Sequence, residues 1–289
     1  MNDQVTEDPQ TLLDRLERQS VQQETPCGDG SMVWHLWNET GRADAPVLVL
    51  FHGGAGSWRH WVRTIPELSQ HYRVLAPDLP GLGESAFPPN GDDADAVAEI
   101  VADGIDHVIG AGTGYDVAGF SFGGTMAACV AAIHGPRVRS VTIIGSSGVG
   151  PLGSAVQLLK VRQLEGQERV EAHRTNLNRL MIADPHKIDA LALAIQEWNT
   201  VRSRLRTPAL SRSGAILRAL DRVQAPLNGI WGEFDAPANP RARERVAALQ
   251  ERHPEADIRL IPGAGHWVAY EAADTVNAML LEMLARTRP

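Results

Sequence analysis

Asp116-Val117-Ala118-Gly119-Phe120-Ser121-Phe122-Gly123-Gly124 is the stretch that decides the reading of this chain. Its first half is a short apolar run of the kind that forms a buried strand. Its second half opens an Ala-rich segment, Gly123 to Ile133, with the composition of a tightly packed helix. Between them stands Gly-x-Ser-x-Gly, and the turn from strand to helix must be made within those few residues. So sharp a turn forces its central residue into a strained backbone and leaves no room for side chains on either flank, which is why glycines stand there. Ser121 is thereby expected on an exposed corner at a helix N-terminus, where free N–H groups and the helix dipole favour a developing anion.

The pattern repeats outward in both directions. Upstream, Met32 to Trp37 alternates like a half-buried strand, and Pro46 to Phe51 is a continuous apolar run of the parallel, doubly covered type. That run stops at His52-Gly53-Gly54-Ala55-Gly56, with Ser57 placed to cap a helical stretch reaching Gln70. A strand at Tyr72–Ala76, a glycine-rich turn at 77–83 and a helix over Ala94–Ile109 follow. Downstream come strands at Val138–Ile144, Pro226–Trp231 and Asp257–Ile261, with helices near Ala242–Glu251 and Ala272–Ala285. Alternation of this kind implies an α/β fold with a mostly parallel, doubly wound sheet. Residues 149–222 interrupt it with helical periodicity alone, and they are expected to form a cap over the carboxyl ends of the strands, where such sheets bind ligands. The core is therefore expected in two parts, 1–148 and 223–289, with 1–25 a polar, loosely packed N-terminal extension holding one helical stretch at Thr11–Ser20.

A lone serine is a weak nucleophile and needs a base. Of ten histidines, His266 follows the last expected strand in Gly263-Ala264-Gly265-His266-Trp267, on the same sheet edge as Ser121. The base needs an acid to hold its tautomer, and the preceding strand ends in Glu233-Phe234-Asp235. Asp235 is the expected partner and Glu233 the runner-up. Two backbone N–H groups, those of Phe122 and Gly54, are expected to form an oxyanion hole, with His52 bracing the loop that carries Gly54. The turn Asp78 to Ser85 lacks the lysine and spacing of a phosphate loop, and Gly110 to Gly114 precedes a strand, the wrong way round for a dinucleotide fingerprint. No histidine, carboxylate and cysteine set has metal-ligand spacing, so neither cofactor nor metal is expected.

Composition narrows the partners. A net charge of −8 over 289 residues argues against nucleic acid as the main partner. Residues 151–222 run the other way, with 12 basic against 7 acidic side chains; this segment is expected to be drawn to the acidic body, or else to attract anionic substrates. No apolar run approaches membrane length, and the start of the chain is too acidic and polar for a signal peptide. Two cysteines make no disulfide framework. A cytoplasmic protein acting on a small molecule is expected; whether it is a homo-oligomer is left open.

With these motifs in place the chain resembles the α/β-hydrolase superfamily from about Ser31 to its end, including the order Ser121, Asp235, His266. Within it the nearest resemblance is to the meta-cleavage-product hydrolases, serine enzymes that add water across a C–C bond of a dienoate. His52 to Gly56, Asn176 to Pro185 and Gly265 to Glu271 carry that resemblance. Where those enzymes usually have Asn before the nucleophile, this chain has Phe120. Gln196 stands near the place of their carboxylate-gripping cap arginine, with Arg202 and Arg204 close by. The resemblance implies a serine hydrolase without cofactor whose pocket takes Trp198, Met181 and Gln196 from the cap and Trp267 and Trp58 from the core. The same machinery also fits a carboxylesterase or lactonase, a cofactor-free perhydrolase, or a non-catalytic small-molecule receptor.

Overall fold

The structure, a computed structural model, describes residues 7–38, 45–150 and 156–286. Residues 1–6 of the expected extension and 151–155 of the expected cap lie outside the described residues. Eight strands form one sheet: β1 (Val21–Cys27), β2 (Gly30–Trp37), β3 (Val47–Phe51), β4 (Arg73–Pro77), β5 (Tyr115–Phe120), β6 (Val138–Ile144), β7 (Leu227–Gly232) and β8 (Asp257–Ile261). Their spatial order is β1-β2-β4-β3-β5-β6-β7-β8. β1 and β2 pair antiparallel, as do β2 and β4, and every later pairing is parallel.

The period of two along the strands builds two cores, one on each face of the sheet. In β3, Val47, Val49 and Phe51 join one cluster while Leu48 and Leu50 join the other. Helices α1 (Ala94–Ile109) and α2 (Phe122–His134) cover the first face with Val97, Val101, Met126 and Val130. Trp61, Ile65 and the C-terminal helix α3 (Ala273–Ala285) cover the second with Val276, Leu280 and Met283. Each such side chain fully buried contributes about 1.5–3 kcal/mol.

Between β6 and β7 the described residues contain helices only. The longest are Gly166–Leu180 and Ala190–Arg202. Leu177, Ile182 and Ile195 of this block pack into the second core, whereas Leu205, Leu210, Ile216 and Leu220 pack into the first.

Two local expectations need correcting. From residue 7 on, the N-terminal extension is not loose: β1 forms a hairpin with β2, closed where Cys27 faces Gly30 and Gly28 takes a φ of 58°. The helix before it, Pro9–Arg18, buries Leu13 and Leu16, and the Leu16 carbonyl accepts a hydrogen bond from Trp37 Nε1 at 2.9 Å. β1 reads Val-Gln-Gln-Glu-Thr-Pro-Cys and is largely exposed; an edge strand with one partner needs no apolar face to be held. The stretch after Ser57 is broken into a 3₁₀ turn, Trp58–Trp61, and a single helical turn, Ile65–Leu68, with Pro66 inside it. Ser57 still caps, its Oγ accepting from the Arg59 N–H at 3.3 Å.

Candidate active site

Ser121 is the junction between β5 and α2, and its backbone sits at φ 53° and ψ −115°. A non-glycine residue there is strained, and the surroundings hold it: the Ser121 N–H donates to the Ile144 carbonyl of β6 at 2.7 Å. The glycines on either side are required by close approach. A Cβ on Gly119 would lie 2.1 Å from the Gly123 carbonyl oxygen, and one on Gly123 would lie 2.2 Å from that of Phe51. Backbone has no room to yield at either place.

Ser121 Oγ lies 3.0 Å from His266 Nε2, and His266 Nδ1 lies 3.0 Å from Asp235 Oδ2. A carboxylate only accepts, so Nδ1 carries the proton and Nε2 is left to accept from the serine hydroxyl. Asp235 is fully buried and His266 nearly so. The loops bearing them are tied together: the Phe234 N–H donates to the Ala264 carbonyl and the Glu233 N–H to that of Ile261, both at 2.9 Å. Glu233, the other candidate acid, points elsewhere. It accepts from Arg243 Nη2 at 2.6 Å and from the Gly263 N–H at 3.2 Å, and these bonds hold its pKa below the usual carboxylate range.

As first residue of α2, Phe122 has an N–H with no acceptor inside the helix. The facing loop is fixed by two imidazoles. His52 Nε2 accepts from the Leu79 N–H at 2.8 Å and its Nδ1 donates to the Gly53 carbonyl at 2.8 Å. His60 Nδ1 accepts from the Gly53 N–H at 3.2 Å. Burial drives the His52 pKa down to about 4 and that of His60 well below its ordinary value, so both rings are neutral at pH 7. With the Gly53 N–H engaged, the next along the loop is that of Gly54, whose Cα faces Thr207: a Cβ there would lie 2.2 Å from the Thr207 hydroxyl oxygen.

The residues expected to line a pocket are placed unevenly. Trp58 is fully buried among His35 and Trp37, with ring centroids 5.4 Å from each. Trp267 is buried against Tyr270 at 4.3 Å and donates from Nε1 to the His60 carbonyl at 2.9 Å. Both are core residues here and present no open face. Met181 is buried in the second core, and its carbonyl accepts from the Trp267 N–H at 2.7 Å. Trp198 is half-buried between two guanidinium groups, Arg59 at 3.7 Å and Arg202 at 4.1 Å. Gln196 donates to Thr200 Oγ1 at 3.2 Å, and Arg204 to the Ser85 carbonyl.

One residue beneath the site escaped sequence reasoning. Arg245 is fully buried and donates to the carbonyls of Pro237, at 2.9 Å, and Ser146, at 3.3 Å. It thus holds the loop beyond Asp235. Its signal was a cation at an apolar helical position, three after Ala242 and four before Leu249. The structure also gathers Glu17, His35 and Glu84, whose ligand atoms lie within 4.8 Å of one another although they are distant in sequence. The Arg59 guanidinium donates to Glu17 Oε2 at 3.1 Å and already fills the cationic place there.

The arrangement is a hydroxyl, an imidazole and a carboxylate hydrogen-bonded in series at a helix N-terminus, which lets the imidazole take the hydroxyl proton while the carboxylate stabilises the resulting cation. Comparisons with known proteins bear on the family and the fold. The alpha/beta hydrolase family model matches residues 48–279. The chain is 31% identical over 259 residues to the dihydrolipoyllysine-residue acetyltransferase component of the acetoin cleaving system of Pseudomonas putida, an alignment covering 86% of this chain but only 66% of that protein's length. It is 27% identical over 271 residues to the 2-hydroxy-6-oxo-6-phenylhexa-2,4-dienoate hydrolase of Burkholderia cepacia, covering 87% of this chain and 91% of that one. Among solved structures, naproxen esterase from Bacillus subtilis superposes with a TM-score of 0.73 at 18% identity, covering 98% and 99% of the two chains. The 2-hydroxy-6-oxo-6-phenylhexa-2,4-dienoate hydrolase of Rhodococcus sp. strain RHA1 superposes at 0.69 and 18%, covering 92% and 99%. At that identity the structural likeness speaks for the fold.

Proposed function

The chain belongs to the alpha/beta hydrolase family, and from that premise we propose that it is a serine hydrolase acting on the carbonyl carbon of a small apolar or aromatic substrate. The observation that carries this reading is the unbroken chain Ser121–His266–Asp235, with both bonds at 3.0 Å. His266 takes the proton as Ser121 Oγ bonds to the carbonyl carbon. Asp235 keeps the imidazole in the right tautomer and offsets its positive charge. The N–H groups of Phe122 and Gly54 hold the oxyanion, each such donor being worth about 3 kcal/mol in the transition state. His266 returns the proton to the departing group, and water, deprotonated by the same imidazole, releases the acyl group from Ser121.

The finer reading is C–C bond hydrolysis of a meta-cleavage-type dienoate, in which His266 first assists tautomerisation to the ketone. The similarity to the dienoate hydrolase of B. cepacia supports it. A second reading, hydrolysis of a small uncharged ester, is favoured by the cap itself. Arg202 stacks on Trp198 and Arg204 binds the Ser85 carbonyl, while Gln196 lacks the bidentate fork that grips a carboxylate. Short p-nitrophenyl esters and a ring-cleavage dienoate assayed side by side decide between them: bleaching of the dienoate chromophore supports C–C hydrolysis, and ester turnover alone supports an esterase. Either activity must vanish in Ser121→Ala. If neither substrate is turned over, the hydrolase reading is wrong.

A further inference from the structure

Glu271 ends a short helix, Val268–Glu271, that begins two residues after His266, and its side chain is buried. The carboxylate faces backbone N–H groups from two different parts of the chain. Oε2 accepts from Gly265, the residue before His266, at 2.7 Å and from Ala183 at 3.0 Å; Oε1 accepts from Asp184 at 2.8 Å. Ala183 and Asp184 belong to the turn after the cap helix Gly166–Leu180. The same junction is closed by the Trp267 N–H on the Met181 carbonyl at 2.7 Å. It is so tight that a Cβ on Gly265 would lie 2.7 Å from the Ala183 nitrogen.

We propose that Glu271 is a positioning residue for the base: its carboxylate clamps the cap turn at 181–184 onto the backbone that presents His266, so that seating the cap and placing the imidazole are one event. The proposal rests on the serine hydrolase reading for what His266 does, and on the geometry alone for the clamp. Three N–H donors converge on two oxygens, and only an acceptor-only group satisfies them all. An amide at the same place turns an NH₂ toward at least one of those donors and breaks the junction. A carboxylate also bonds N–H groups more strongly than a neutral oxygen does. Loss of the clamp frees the peptide preceding His266, and an imidazole displaced by about 1 Å loses on the order of 100-fold in rate.

The test is Glu271→Gln beside wild type, Ser121→Ala and Lys187→Met. Lys187 bonds the backbone carbonyl of Glu271, at 3.0 Å, and not its carboxylate, so its variant reads general loosening of the helix. The first measurement is the rate at which diethyl p-nitrophenyl phosphate labels the serine, followed by release of one equivalent of p-nitrophenolate as the Ser121 Oγ–P bond forms. The second is hydrogen exchange at amides 182–184 and 264–267. The proposal expects labelling slowed tenfold or more in Glu271→Gln and unchanged in Lys187→Met. It also expects protection lost from both segments together, and kcat for a short ester reduced with KM within threefold. Labelling of Glu271→Gln at the wild-type rate, or loss of protection in the cap turn alone, overturns it. Should Glu271→Gln fail to fold, Glu271→Asp, which keeps the charge but not the reach, is read by the same criteria. Wild type that resists labelling refutes the nucleophile reading instead, and the exchange data still decide the clamp.

Discussion

Replacing Asp235 by Asn removes one charge and almost no volume, and the structure says how the site must respond. Asp235 Oδ2 is 3.0 Å from His266 Nδ1, and both residues are buried. Its other oxygen, Oδ1, is buried without a hydrogen-bond partner among the described residues. The amide of Asn therefore finds no acceptor waiting for its NH₂ on the far side. Turned toward His266, that NH₂ donates to Nδ1 and drives the imidazole proton onto Nε2, where it can no longer accept from Ser121. Turned away, it leaves a neutral oxygen to offset an imidazolium that needs a full negative charge. The first outcome abolishes the base and the second weakens it. By analogy with other triads, where wrong-tautomer variants lose about 10⁴ in kcat, Asp235→Asn is expected to lose between about 10² and 10⁴, or roughly 3–5.5 kcal/mol of transition-state stabilisation. Steady-state hydrolysis of a short p-nitrophenyl ester at pH 8 measures it, with circular dichroism and the urea midpoint confirming the fold. Activity within tenfold of wild type refutes the reasoning, because it shows that the buried carboxylate sets neither tautomer nor charge.

Other expectations follow from the same contacts. Gly119→Ala places a Cβ 2.1 Å from a backbone oxygen, and the variant is expected to lose about 3 kcal/mol or more in urea unfolding. Arg245→Met keeps the length but strips the donors from the carbonyls of Pro237 and Ser146; a loss of about 1–3 kcal/mol per stranded group is expected, with a fall in kcat as the Asp235 loop relaxes. Acid should destabilise the fold. His52, held down to about 4, and His35, held down to about 3, both by burial, are neutral in the folded state and protonate near 6.5 when unfolded. Their stability is complete above pH 6.5 and falls by up to about 1.4 kcal/mol per pH unit for each ring as pH drops toward the folded pKa. Asp78, raised to about 6 by burial, works oppositely below pH 6, so a net loss of about 2 kcal/mol or more is expected between pH 7 and 5 in urea midpoints. His52→Asn, with His35 intact, should flatten that slope by roughly three-quarters, because Asp78 then offsets most of the His35 contribution.

Much of this was readable in advance because it depends on local physics. The turn around Ser121 declares itself through glycines that only steric crowding explains, and β3, β5 and β6 are apolar runs with no other comfortable home. The order of Ser121, Asp235 and His266 followed from strand counting. What was not readable depends on contacts between distant segments. β1 is polar and exposed because an edge strand is held by β2 alone. Trp58 and Trp267 stand beside motif residues, yet the backbone turns their rings into the core. Glu271 and Arg245 acquire their roles only when loops more than fifty residues apart, or one helix and the floor of the acid loop, are brought face to face.

The insertion between β6 and β7 anchors on both apolar layers, Leu177 and Ile195 on one and Leu210 and Ile216 on the other. It rides the sheet edge like a saddle with a girth on either flank. A chimera that transplanted this block from a relative would have to match two seats at once, and a mismatch on either would lay apolar surface bare. Changes of specificity are therefore more accessible through single side chains than through exchange of the whole insertion.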